Sequence, residues 1–85
     1  MRFQALVEVR PREGIANPEG ATIERALAGL GYNGVTEVRV GKAIRFTVEA
    51  ADEPAAREQV VALCRRLLTN PVIEDADVTL DPVEE

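Results

Sequence analysis

The chain contains no histidine, no serine and no tryptophan, and one residue each of lysine (Lys42), cysteine (Cys64) and tyrosine (Tyr32). Each absence removes a class of chemistry. Serine nucleophiles and histidine proton shuttles are excluded within this chain. The common zinc sites, which need several cysteine or histidine ligands, are excluded with them. A lone cysteine makes no internal disulfide, so nothing calls for an oxidising compartment. No apolar run approaches the ~20 residues that span a bilayer, and the first residues alternate rather than form an apolar signal segment. The expectation is a soluble, cytoplasmic protein with no membrane partner. A catalyst would have to be built from carboxylates, arginine, threonine, asparagine, one thiol or one amine. That inventory favours a binding or structural role.

What is present is 85 residues with 10 basic and 15 acidic side chains, a net charge of −5. One domain, residues 1–85, is expected. A chain this short buries roughly 60–65% of the surface its unfolded form exposes. Oligomerisation is the usual remedy for so modest a core. Six of the acidic residues (Glu74, Asp75, Asp77, Asp81, Glu84, Glu85) lie beyond residue 70, where there is no basic residue. The acidity thus belongs to the end of the chain, with an acidic tail from about 81. A nucleic-acid ligand would want a basic stripe, which is absent.

Phe3, Ala5, Val7 and Val9 alternate with Arg2, Gln4, Glu8 and Arg10, the period of a strand with one apolar face. Asn17 and Pro18 then read as the cap and first position of a helix, with Glu19 at the positive end of its dipole. Ile23, Ala26, Leu27 and Leu30 follow at helical spacing. Gly31 stands where a left-handed stop belongs, with Tyr32 folding back on Leu27. Thr36, Val38 and Val40 share one face of a second strand, and Ile44, Phe46 and Val48 one face of a third. A hairpin that pairs Val40 with Ile44 and Val38 with Phe46 keeps those faces consistent and leaves Gly41–Ala43 as the loop. Asp52 caps a second helix whose apolar face is Ala56, Val60, Leu63, Cys64 and Leu67; Arg65 and Arg66 suit its last turn. Asn70-Pro71 ends it. Val72-Ile73, then Ala76, Val78 and Leu80, supply a last strand closed by Pro82. The order βαββαβ predicts an α+β, ferredoxin-like domain: a four-stranded antiparallel sheet with two helices.

That architecture hosts many unrelated activities, so each must be tested on its own residues. Metal carriers need a Cys-x-x-Cys loop, whereas Cys64 stands alone on an apolar helix face as a packed thiol. RNA readers need outward aromatics, whereas Phe3 and Phe46 lie in phase with core residues. A phosphate cradle at Pro11-Arg12-Glu13-Gly14 is spoiled by its glutamate. The Asp75, Asp77, Asp81 group lacks the glycine and closing glutamate of a calcium loop and reads as a solvated acidic strand. Lys42 beside Gly41 reads as a turn residue or as a contact for an anion or a partner.

Four stretches, taken together, carry a resemblance: Asn17-Pro18-Glu19-Gly20, Ala26 to Tyr32, Val38-Arg39-Val40-Gly41-Lys42, and Cys64 to Asp75. In this order and spacing the chain, from about Arg2 to Leu80, resembles the small PurS subunits of multi-subunit bacterial phosphoribosylformylglycinamidine synthase. It departs from them in having Asn17 where Asp is common, Pro11-Arg12 where Leu-Lys is frequent, and Ala76 where a tyrosine often follows Glu-Asp.

The resemblance implies a role in de novo purine synthesis. The whole enzyme makes formylglycinamidine ribonucleotide from formylglycinamide ribonucleotide with ATP and glutamine. The small subunit holds no catalytic residue, cofactor or metal, and ATP and Mg belong to the synthetase subunit. It bridges the synthetase (PurL-type) and glutaminase (PurQ-type) subunits, assists ammonia transfer, and forms a homodimer or homotetramer through its sheet. The expected interface residues are Asn17, Pro18 and Gly20 at the first helix, Arg39, Gly41 and Lys42 at the hairpin, and Asn70, Glu74 and Asp75 near the end. The alternative is a ligand-sensing module of the ACT type, with Gly14 in the loop after the first strand.

Overall fold

The computed structural model describes residues 1–84; Glu85, the last residue of the expected acidic tail, lies outside the described residues. The first strand, β1 (Arg2–Pro11), is the centre of the sheet, flanked by β2 (Lys42–Glu49) and β3 (Glu74–Pro82), both antiparallel to it. Its alternation does what it should: Phe3, Ala5, Val7 and Val9 are buried, while Gln4, Glu8 and Arg10 are exposed. Helix α2 (Glu53–Leu63) lies across that buried face through Ala56 and Val60. Full burial of Phe3, Val7, Val9 and Val60 contributes roughly 1.5–3 kcal/mol each relative to exposure.

Local signals set the helix ends as expected. The Asp52 carboxylate accepts from the Ala55 N–H at 2.9 Å, and the Asn17 carboxamide from the Gly20 N–H at 2.9 Å. Helix α1 (Pro18–Gly29) stops at Gly31, whose φ is 95°, with Tyr32 N–H on the Leu27 carbonyl at 2.9 Å and Gly31 N–H on that of Ala28 at 3.1 Å. That pair of bonds is the Schellman stop. Past α2 the chain widens into a π-helical turn, Cys64–Leu68, in which the Cys64 carbonyl accepts from both the backbone N–H (3.0 Å) and the hydroxyl (2.9 Å) of Thr69.

The class is therefore α+β and ferredoxin-like, with an antiparallel sheet and two helices. The expected hairpin is corrected. Among the described residues the sheet has three strands, not four, and Thr36–Val40, irregular with Glu37 at a φ of 57°, does not join it. Ile44 stands opposite Val7 and Phe46 opposite Ala5, so β2 pairs with β1 rather than with its sequence neighbour. Two contacts explain this. The Val38 N–H donates to Glu24 Oε1 at 3.0 Å, and the Val40 backbone bonds to Asn17, so the segment is tied to α1 instead of folding back on β2. Val72 and Ile73, expected in the last strand, form the turn before it, because Ile73 N–H and Glu74 N–H both close onto the Asn70 carbonyl.

The consequence is an open molecule. Helix α1 is not packed on the sheet, and its stripe of Ile23 (41% exposed) and Leu30 (74%) faces outward. The radius of gyration is 16.6 Å, with extents of 51 × 30 × 15 Å. A compact domain of this length would have about 12 Å.

Candidate partner interface

Most of the expected interface residues gather at one end of the sheet, where β1 finishes and β2 and β3 begin. Lys42 opens β2 opposite Val9, while Asp75 and Glu74 open β3 opposite Arg10 and Pro11. The two chain connections that lead to and from α1 cross at this end.

Asn17 clamps them together. Its Oδ1 accepts from Gly20 N–H (2.9 Å) and Val40 N–H (3.2 Å), while its Nδ2 donates to the Val40 carbonyl at 3.0 Å. One carboxamide thereby caps a helix and mimics a β-ladder partner. Gly20 is buried beneath this contact; a Cβ there would lie 2.1 Å from the Val38 carbonyl oxygen, so only glycine permits the approach. Pro18 occupies the first helical position and is exposed. Gly41 carries the chain past the Val9 carbonyl, which a Cβ would meet at 2.5 Å.

Arg39 reaches from the returning connection to the outgoing one. Its Nη2 donates to the carbonyls of Arg12 and Ile15, each at 3.2 Å. Arg12 in turn belongs to the sheet: its N–H donates to the Ile73 carbonyl at 2.8 Å and its Nε to Asp75 Oδ1 at 3.1 Å. From the sequence alone Arg12 figures only in a phosphate cradle spoiled by Glu13. The signal that could have found it was the excess of acid opposite it on the last strand. Asn70 and Glu74 close their own turn, Glu74 Oε1 accepting from Asn70 N–H at 2.7 Å and Asn70 Oδ1 from Val72 N–H at 3.1 Å. Arg12 thus links the two groups of expected residues, those around Asn17 and Arg39 and those from Asn70 to Asp75.

An open cleft of about 750 Å³ lies beside this junction, edged by Glu13, Glu24, Arg25 and Glu37. Its charges are mixed, which suits a polar protein contact better than a small anion. Among the described residues no group of acidic, cysteine or histidine side chains could hold a metal ion. Cys64 is buried against the core, and burial pushes its thiol pKa up, so it holds its proton rather than acting as a nucleophile.

Residues 4–82 match the model of the PurS family, described as phosphoribosylformylglycinamidine (FGAM) synthase. The chain belongs to the PurS family. It is 44% identical over 84 residues to the phosphoribosylformylglycinamidine synthase subunit PurS of Methanothermobacter thermautotrophicus, covering 99% of both chains. The corresponding subunit of Methanocaldococcus jannaschii is 40% identical over 82 residues, covering 96% of this chain and 99% of its own. Its fold is similar to that of the PurS crystal structure from M. jannaschii, with a TM-score of 0.86, 39% identity, and coverage of 96% and 99% of the two chains. A solved structure of PurLQS from Thermotoga maritima includes a chain similar at a TM-score of 0.87 and 36% identity, covering 94% of this chain and 98% of that one. PurS-family chains are subunits, which accords with a sequence poor in catalytic side chains and a surface rich in unpartnered apolar residues.

Proposed function

We propose that this chain is the non-catalytic small subunit of a cytoplasmic phosphoribosylformylglycinamidine synthase, bridging a PurL-type synthetase and a PurQ-type glutaminase and assisting ammonia transfer between them. The observation that carries this is the family match across residues 4–82, nearly the whole chain. The PurLQS assembly of the T. maritima relative supports the choice of partners. The polar junction of Arg39, Lys42, Asn70, Glu74 and Asp75 is the surface this reading offers to them.

The subunit works as a homodimer in which α1 is exchanged. Three faces lack cover within one chain. Ile23, Leu27 and Leu30 form the apolar stripe of α1; Ile44 and Phe46 are only half-buried on the inner face of β2; Leu63 ends α2 half-buried, and Leu67 in the π-helical turn beyond it is 75% exposed. The α1 of a second copy fits between the latter two faces, and the Thr36–Val40 segment that travels with it fits the open edge of β2. Each large aliphatic side chain covered this way contributes on the order of 1.5–3 kcal/mol.

Reconstitution tests the function. Synthetase and glutaminase subunits supplied with glutamine and ATP should make formylglycinamidine ribonucleotide only when this chain is added. Equal turnover without it would overturn the bridging role.

A further inference from the structure

The geometry points to Arg39 as the latch that holds the α1 unit in its exchanged, open position. This rests on the exchanged-dimer reading above and goes beyond it, because it names what sets the balance between open and closed forms. Two rigid parts meet at the junction. The first is the α1 unit: Val38 and Val40 are bound to Glu24 and Asn17, with Gly20 seated on the Val38 carbonyl. The second is the sheet, to which Arg12 is fastened through the Ile73 carbonyl and the Asp75 carboxylate.

Arg39 rides on the α1 unit and has one hydrogen bond to each part. Its bond to the Ile15 carbonyl lies on the stretch leading into α1, and its bond to the Arg12 carbonyl reaches across to the sheet. A closed monomer would need α1 to swing back over its own β2, turning the α1 unit relative to β1. The Ile15 bond would turn with the unit, whereas the Arg12 bond would break. Arg39 therefore distinguishes the two states, which a contact inside either part would not. Both bonds come from the one Nη2, which offers an N–H to each carbonyl and so ties the two parts through a single atom.

The experiment places Ile23→Cys and Leu63→Cys in a Cys64→Ala background and cross-links the full chain with a bismaleimide after equilibration at low micromolar concentration. Native mass is measured in parallel. An exchanged dimer yields covalent two-chain product, and a closed monomer yields intrachain product. Single-cysteine chains should give neither. Adding Arg39→Ala should raise the intrachain fraction about tenfold, with Arg39→Gln in between, since it keeps donors without charge. Arg10→Ala, which breaks only the neighbouring exposed pair with Asp77, should leave the fraction unchanged. A two-chain product in the parent with no more than a twofold change on Arg39→Ala would overturn the latch and leave the exchanged dimer standing. Intrachain product or a one-chain native mass in the parent would overturn the exchanged dimer itself. If Arg39→Ala fails to fold by circular dichroism, Arg39→Gln decides on the same thresholds.

Discussion

The side chain of Asn17 and the backbone of Val40 exchange two hydrogen bonds, 3.0 Å from Nδ2 to the carbonyl and 3.2 Å from the Val40 N–H to Oδ1. Twenty-three residues apart, they behave as neighbouring strands would. An aspartate at this position would accept from Val40 but, when ionised, could not donate to it. Asn17→Asp should therefore keep the helix cap and lose the bond to the Val40 carbonyl, lowering unfolding free energy by about 1–2 kcal/mol. Asn17→Ala loses cap and clamp together and should cost about 2–3 kcal/mol. Urea titrations of the three chains at one protein concentration give the comparison.

Two glycines of the same helix should respond oppositely to alanine. At Gly20 the added Cβ would meet backbone at 2.1 Å, so Gly20→Ala should cost about 2 kcal/mol or more by prying Val38 off the helix. At Gly29 nothing lies within 4 Å, and Gly29→Ala should stabilise by about 0.5–1 kcal/mol. Thermal melts that rank the two the same way would contradict the tight α1–Val38 packing.

Ile23 separates the exchanged dimer from an isolated chain. In one chain it is exposed, and Ile23→Asp would be nearly neutral there. Beneath a second copy's sheet and α2 the same change buries a charge. Sedimentation equilibrium should show a native dimer and, for Ile23→Asp, a dissociation constant at least a hundredfold weaker.

The buried Cys64 thiol makes stability fall in alkali. Desolvation raises its folded-state pKa, so the unfolded chain loses that proton first. The contribution is fully present below the ordinary thiol pKa and is lost as pH rises from there toward the folded value. Cys64→Ala should flatten that alkaline decline, and a thiol-specific chromogenic reagent should react with the native protein far more slowly than with the protein in urea.

Lys42 is exposed at the first position of β2 and makes no ion pair among the described residues. Lys42→Glu should change unfolding free energy by less than about 0.5 kcal/mol. Co-elution with the synthetase and glutaminase should weaken nonetheless, and unchanged co-elution would remove Lys42 from the contact surface.

Where the fold was legible in the residues, the reason is local. Alternation along Phe3–Val9, the caps at Asn17 and Asp52, and the stop at Gly31 depend on bonds spanning a few residues, and all stand as read. The second strand was misread for a physical reason. Periodicity places Val38 and Val40 on one face but does not say whose backbone they meet, and here Glu24 and Asn17 outcompete β2. Most of the residues expected at the interface lie together at one end of the sheet, and the duties visible there are structural: Asn17, Gly20 and Arg39 shape the junction. Arg12 was missed as its centre because both of its main partners, Ile73 and Asp75, lie some sixty residues away.

The central strand is made first and its second neighbour last. Phe3 lies opposite Pro82, and the Val83 N–H closes onto the Arg2 carbonyl at 2.9 Å. During synthesis at roughly 5–20 residues per second, β1 must therefore wait several seconds with one edge bare and Phe3, Ala5, Val7 and Val9 without their full cover. Emergence of β3 from the ribosome, rather than any earlier event, sets the moment at which this chain can first offer a finished sheet to another copy.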